Sequence, residues 1–219
     1  MLLELISFKT CPFVQRTLIS LNYKDVPYEI TFIDLANPPE WFLELSPLGK
    51  VPVLKVDGEV LFESAVINEY IDDITGGELQ PKAPLARAKN RAWIEYASNM
   101  LGTGYLMKMA KDKESYDKYR TELLSQMHRI EHQLDDSLWF NGDRFSLADT
   151  AFAPIFMHDA VANYRFSVID FESMPKISAW SKRLLAMPAV QQSVVADFER
   201  LYLKAIEKSD SYCWKNSIS

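Results

Sequence analysis

The 219-residue chain is short of cysteine, of basic charge and of long apolar runs, and each shortage narrows what it can be. Its two cysteines, Cys11 and Cys213, stand near opposite ends, which is not the pattern of a disulfide framework in a small secreted domain, so a reducing, cytoplasmic setting is expected. Lysine and arginine number 24 against 30 acids, a formal net charge of -6. That deficit argues against a nucleic-acid partner, because sequence-independent affinity for nucleic acid comes mainly from basic side chains neutralising phosphates. No apolar run approaches the roughly 20 residues needed to span a bilayer. The first seven residues hold an acid, Glu4, and no basic residue, so neither a membrane span nor a signal peptide is expected.

What the chain does have is one cysteine set between an apolar run and a proline-led amphipathic segment. Leu2-Leu3-Glu4-Leu5-Ile6 reads as a buried strand, and Val14, Leu18 and Leu21 recur beyond it at helical spacing. Pro12 suits a first helical position, where its missing N–H would be unpaired anyway, so Cys11 becomes the N-cap. Unpaired N–H groups and the positive end of the helix dipole then face the sulfur, which predicts a lowered thiol pKa and a nucleophile. The same position also suits a small buried hydrophobe, since unpaired cysteines are often buried and inert.

Further on, Tyr28-Glu29-Ile30-Thr31-Phe32-Ile33 alternates polar and apolar residues and reads as a second strand, which a crossover helix would pair in parallel with the first. A short helix is expected over Pro38–Leu45. Lys50–Val56 is an extended run joined to Glu59–Phe62 by the hairpin turn Asp57-Gly58. Val51-Pro52 sits inside that run, where proline cannot donate to a ladder, so it reads either as a special turn with a cis bond or as an edge proline. Glu63-Ser64 opens a helix in which Ile67, Tyr70 or Ile71, and Ile74 recur at helical spacing, and its N-terminus is an anion site.

Glycine and proline cluster over Thr75–Pro84. Two domains are therefore expected, 1–76 and 85–219, with 77–84 as linker. Acidity is concentrated in the first: residues 1–76 hold 5 basic and 12 acidic side chains, residues 77–219 hold 19 and 18. The second reads as all helical, from proline-free amphipathic stretches over Leu85–Lys111 and Tyr116–Leu138. Ser146-Leu147-Ala148-Asp149 is a capping-box pattern, with the Ser146 hydroxyl expected to accept from the N–H at 149 and Phe145 to staple onto Thr150. The Met100–Met109 stretch reads as core that can also offer adaptable apolar side chains to a substrate.

Two patterns read as decoys. His128-Arg129-Ile130-Glu131-His132 matches a zinc-peptidase pentapeptide but lies in a charged helix without an evident third ligand, so no metal is expected. Cys213 reads as a tail cysteine without a role, in polar surroundings beside Trp214.

Four motifs carry a family resemblance: Cys-Pro-Phe-x-x-Arg at 11–16, Pro-Glu-Trp-Phe at 39–42, Ser-Pro-Leu-Gly-Lys-Val-Pro-Val-Leu at 46–54 and Phe-Glu-Ser-Ala at 62–65. In this order and spacing they resemble the N-terminal domain of cytosolic glutathione transferases, most of all the omega class and related cysteine-type bacterial enzymes. The resemblance implies a thioredoxin-like βαβαββα domain followed by an all-helical one, glutathione as cosubstrate, and a homodimer. It further implies Cys11 as the catalytic residue, the Val51 backbone presented by Pro52 to the cysteinyl part of glutathione, and Glu63 with Ser64 on the γ-glutamyl group. Lys50 would meet the glycyl carboxylate and Phe13 would wall the thiol site. Many omega-class proteins have a lysine before Pro-Glu-Trp where this chain has Pro38, which shifts weight onto Lys50.

Three functions follow from that resemblance. With Val14 where a Cys-x-x-Cys motif would place its second cysteine, a resolving thiol must come from outside, as in a glutathione-dependent thiol transferase or dehydroascorbate reductase acting on a small hydrophobic or disulfide-containing substrate. Alternatively Thr10, Ser7 or Cys11 serves only as a hydrogen-bond donor in a conjugating transferase. The third is a non-enzymatic interaction protein of the same fold.

Overall fold

A computed structural model describes residues 2–166 and 171–216. Its first unit runs β1 (Leu3–Ser7), α1 (Pro12–Tyr23), β2 (Glu29–Phe32), α2 (Glu40–Leu45), β3 (Val53–Val56), β4 (Glu59–Phe62) and α3 (Ser64–Ile74). The strands form one sheet in the order β2-β1-β3-β4. β1 pairs with β2 in parallel, Leu5 opposite Ile30, and with β3 antiparallel, Leu5 opposite Leu54. The βαβ crossover demands the first pairing and the two-residue Asp57-Gly58 turn, with φ of 48° and 98°, permits the antiparallel β3–β4 hairpin. Leu3, Leu5, Ile6, Val53 and Leu54 are buried against Val14, Leu18, Leu21, Ile67 and Ile71.

Helices make up the rest: α4 (Pro84–Met109), α5 (Lys113–Gln133), α6 (Leu147–Phe166), α7 (Pro175–Ala186), α8 (Pro188–Gln191), α9 (Phe198–Lys208) and α10 (Tyr212–Lys215). Their core gathers Met100, Met107, Met127, Phe152, Phe156 and Trp180, and it takes in Ile19 from α1. That intrusion is the key to the architecture. Every residue of α1 from Val14 to Leu21 is buried, because the apolar face packs on the sheet while the polar face packs on the helices. Two of its side chains find partners there: Gln15 Nε2 donates to Ser193 Oγ at 3.1 Å, and Arg16 donates through Nε to the Ala151 carbonyl at 3.1 Å and through Nη1 to Ser98 Oγ at 2.8 Å, while the Thr17 and Ser20 hydroxyls are buried without a hydrogen-bond partner among the described residues.

At the start of α6 the Asp149 carboxylate reaches back as expected, accepting from the Ser146 N–H at 2.9 Å. The Ser146 hydroxyl, however, donates to that carboxylate at 2.7 Å and accepts from Asn141 Nδ2 at 2.9 Å, in place of the expected bond from the N–H at 149. The other Asp149 oxygen accepts from the Phe140 N–H at 3.0 Å and from Trp180 Nε1 at 2.8 Å, so the cap also ties a loop and α7 to α6. Phe145 lies tilted against Tyr23, ring centroids 4.5 Å apart, and edge-on to Trp139 at 5.3 Å, and the Thr150 hydroxyl donates to the Leu147 carbonyl.

The pentapeptide at 128–132 has a structural use. Glu131 accepts from the N–H groups of Lys176 and Ile177 at 3.0 and 2.8 Å, capping α7 behind Pro175. Cys213 corrects the sequence reading: it lies on α10, 5% exposed, packed with Ala162, Phe198, Tyr202 and Ile206. Its Sγ donates to the Lys108 carbonyl at 3.4 Å, and the Tyr212 N–H donates to the Ala110 carbonyl at 2.7 Å, so backbone bonding at the end of α4 draws a polar tail into the core.

Candidate active site

Cys11 occupies the turn between β1 and α1. Its N–H donates to the Phe8 carbonyl at 3.0 Å and its carbonyl accepts from the Gln15 N–H at 3.1 Å, with Pro12 at the first helical position, so it is the N-cap of α1. Cys11 as a residue is half-buried, and its sulfur lies 3.9 Å from the carbonyl of Val51, whose bond to Pro52 is cis. The cis geometry answers the question left by the proline in an extended run: β3 begins only at Val53, and the two residues before it form the turn that faces Cys11.

Beside this turn is a pocket of about 200 Å³ lined by Phe13, Lys50, Val51, Pro52, Glu63 and Ser64, together with Ser46 and Leu48. All six residues expected to hold a cosubstrate are thus brought together from three parts of the chain. Ser46 builds one wall, since its hydroxyl donates to the Lys50 carbonyl and accepts the Lys50 N–H, both at 2.9 Å. Glu63 builds another. Its φ of 71° with ψ of 113° is strained for a residue with a side chain, at a cost of about 1–3 kcal/mol, and it stands exposed as the N-cap of α3 with Ser64 buried behind it. Unpaired N–H groups at that helix start suit a carboxylate.

On the other side of Cys11 a cleft of about 520 Å³ opens between the two halves of the molecule. Cys11, Pro12 and Phe13 form its near end, and Met100, Tyr105, Met107, Met127 and Ile155 its walls. Gly102 and Gly104 on α4 leave room where side chains would otherwise stand. The methionine stretch is therefore both core and cleft. His158, Asp159, Lys108 and Tyr202 also line it, and the sequence reading missed them. The signal was a His-Asp pair inside the apolar run Phe152–Ala162.

The electrostatics differ from expectation in one respect. Burial pushes the Cys11 thiol above its ordinary value of 9.0, outweighing the N–H groups of Val14 and Phe13 and the Arg16 charge, which act in the direction the helix argument predicts. Arg16 is itself lowered to about 10 by burial, against Glu95 and Cys11. Its guanidinium lies 5.1 Å from the Phe13 ring, so the cysteine turn and the domain interface share a residue.

A thioredoxin-like domain whose cysteine-capped helix faces a cis-proline turn, docked on a helical domain across a deep cleft, defines a protein of the glutathione transferase type. Comparison with known proteins agrees. Residues 10–74 match the glutathione S-transferase N-terminal domain and residues 92–188 the glutathione S-transferase C-terminal domain. A probable chloroplastic glutathione S-transferase DHAR2 of Oryza sativa subsp. japonica is 33% identical over 85% of this chain and 68% of its own. Glutathione S-transferase omega-1 of Sus scrofa is 28% identical over 86% and 79%. Among solved structures, rice GST1 in complex with glutathione superposes with a TM-score of 0.83 at 27% identity, covering 95% of this chain and 99% of that one. Glutathione transferase Omega 3C of Trametes versicolor superposes with 0.78 at 25%, covering 88% and 89%. The chain belongs to the glutathione S-transferase family, with omega-class and DHAR proteins among its relatives.

Proposed function

We propose that the protein is a glutathione-dependent thiol transferase in which Cys11 carries the glutathionyl group. The observation that supports this most is the 3.9 Å approach of Cys11 Sγ to the Val51 carbonyl, which sets the thiol between a tripeptide-sized pocket and a substrate cleft. Glutathione would lie along Val51 and cis-Pro52 in a β-like contact, its γ-glutamyl end at Glu63 and Ser64, its glycyl carboxylate at Lys50, and its sulfur beside Phe13. Deprotonated Cys11 sulfur attacks the glutathione sulfur of a mixed disulfide, the S–S bond breaks, and the substrate sulfur takes up the proton that Cys11 gave up and leaves as a thiol. A second glutathione thiolate then attacks the Cys11 adduct, releasing oxidised glutathione and restoring the thiol. In this reading residues 1–76 bind glutathione, 77–84 link, and 85–219 supply the wall of the substrate cleft, in a cytoplasmic homodimer. Among the described residues no helix is long and apolar enough to cross a membrane.

Intact-mass analysis after incubation with oxidised glutathione tests this. One glutathionyl unit should add to the wild type and none to Cys11→Ala; a wild-type protein that never gains the adduct refutes the reading. A second reading, conjugation of glutathione to hydrophobic electrophiles with Cys11 only as hydrogen-bond donor, draws support from the upward push on the thiol. It expects Cys11→Ser to keep or gain activity on chlorodinitrobenzene while hydroxyethyl disulfide and dehydroascorbate are poor substrates throughout.

A further inference from the structure

Part of the lining of the large cleft is not apolar. His158 and Asp159, adjacent on α6, line it and are 4% and 5% exposed. His158 Nε2 and Asp159 Oδ2 find no hydrogen-bond partner among the described residues. Unpartnered buried polar atoms cost free energy, of order 1–3 kcal/mol each; of the eleven such side-chain atoms among the described residues, these two alone line the cleft, where a bound group can reach them. The ring of His158 sits against Phe198 and Tyr202, ring centroids 5.0 and 4.7 Å away.

The charges around the pair define what would fit. Lys108 comes from α4, its Nζ 5.5 Å from the Tyr202 ring centroid, and its field reaches both His158 and Asp159. It forms no ion pair with Asp159 within 4.0 Å, so carboxylate and ammonium stand apart with a neutral imidazole beside them. An anion here gains from Lys108 but meets Asp159, and a cation gains from Asp159 but meets Lys108, so neither sign of charge is favoured outright. A neutral group that both donates and accepts satisfies the acid and the ammonium together, and a hydroxyl is the simplest such group.

We propose that this cleft selects second substrates with an apolar body and a neutral hydroxyl-bearing head, the body along Met100, Met107 and Met127 and the head at Asp159, His158 and Lys108. The inference rests on the reading that the cleft receives the second substrate of a Cys11-centred thiol transferase. It adds a polar specificity element that the apolar walls do not suggest.

Four glutathione mixed disulfides test it, their six-carbon chains ending in a methyl, a hydroxyl, a carboxylate and an ammonium group. The wild type should use the hydroxyl probe with kcat/KM at least tenfold above the methyl probe and above both charged ones. In Asp159→Asn and His158→Phe the ratio of hydroxyl to methyl probe should fall toward one, chiefly through KM. Equal use of hydroxyl and methyl probes by the wild type, or preference for a charged probe, overturns the proposal even if neither variant folds. Adduct formation at Cys11 from oxidised glutathione is measured alongside: its absence defeats the thiol transferase reading itself, whereas its presence with a flat probe series defeats only the assignment of the polar head.

Discussion

At the scale of single residues, position and environment pull the same group in opposite directions. Cys11 caps a helix, which stabilises a thiolate, yet burial dominates and holds the thiol above 9.0. Iodoacetamide labelling of Cys11 should therefore rise with pH to a midpoint above that of a free cysteine; a midpoint near 7 would restore the helix-dipole expectation. Asp159 and His158 oppose one another in the same way. Burial lifts Asp159 from 3.8 to about 6, so its contribution to stability is full below pH 4 and is lost as pH rises through 6. Burial holds His158 well below 6.5, so its contribution is present above 6.5 and is lost as pH falls below it. The two slopes offset one another between about pH 4 and 6.5. Asp159→Asn leaves only the His158 slope, and stability should then fall on acidification below pH 6.5 by up to about 1.4 kcal/mol per pH unit more steeply than in the wild type. Urea midpoints across that range measure it, and parallel profiles would contradict it.

Among the elements, α6 depends most on a single side chain. Asp149 is fully buried and accepts from the Ser146 N–H and hydroxyl, the Phe140 N–H and Trp180 Nε1. Asp149→Ala strands four donors in the core and should cost about 3–5 kcal/mol by chemical denaturation, while Asp149→Asn, which keeps acceptor capacity, should cost less. A loss below 1 kcal/mol for the alanine variant would mean that the loop and α7 find other partners. The motif was legible because capping boxes are local. Its partners Phe140 and Trp180, 9 and 31 residues away, were not, because nothing in local spacing says which distant donor a second carboxylate oxygen will meet.

For the whole molecule, α1 is the joint between the two halves, and Arg16 is its polar tie to α4 and α6. Arg16→Ala removes the donors to Ser98 and Ala151 and leaves a void, so a destabilisation of about 2–4 kcal/mol is expected. Equilibrium unfolding followed separately by Trp fluorescence and far-ultraviolet signal checks it, with a shift under 1 kcal/mol counting against the joint. Hydrophobic periodicity, turn chemistry and proline placement were enough to determine the strand and helix order of the first half, the N-cap position of Cys11 and the helical character of the second half, because each rests on contacts within a few residues. The motifs at 11–16, 46–54 and 62–65 likewise named residues that share one pocket. Only the tertiary structure decided which polar residues escape water. Gln15 and Arg16 look like the wet face of an amphipathic helix until a second domain covers them, and Cys213 looks like a tail until the end of α4 accepts it. His158 and Asp159 look like two polar residues in a buried helix until α4, α6 and α9 leave a cleft beside them. Pattern records which side chains prefer water, whereas burial, the sign of a pKa shift and the shape of a cleft are set by what packs opposite, and that lies a hundred residues away.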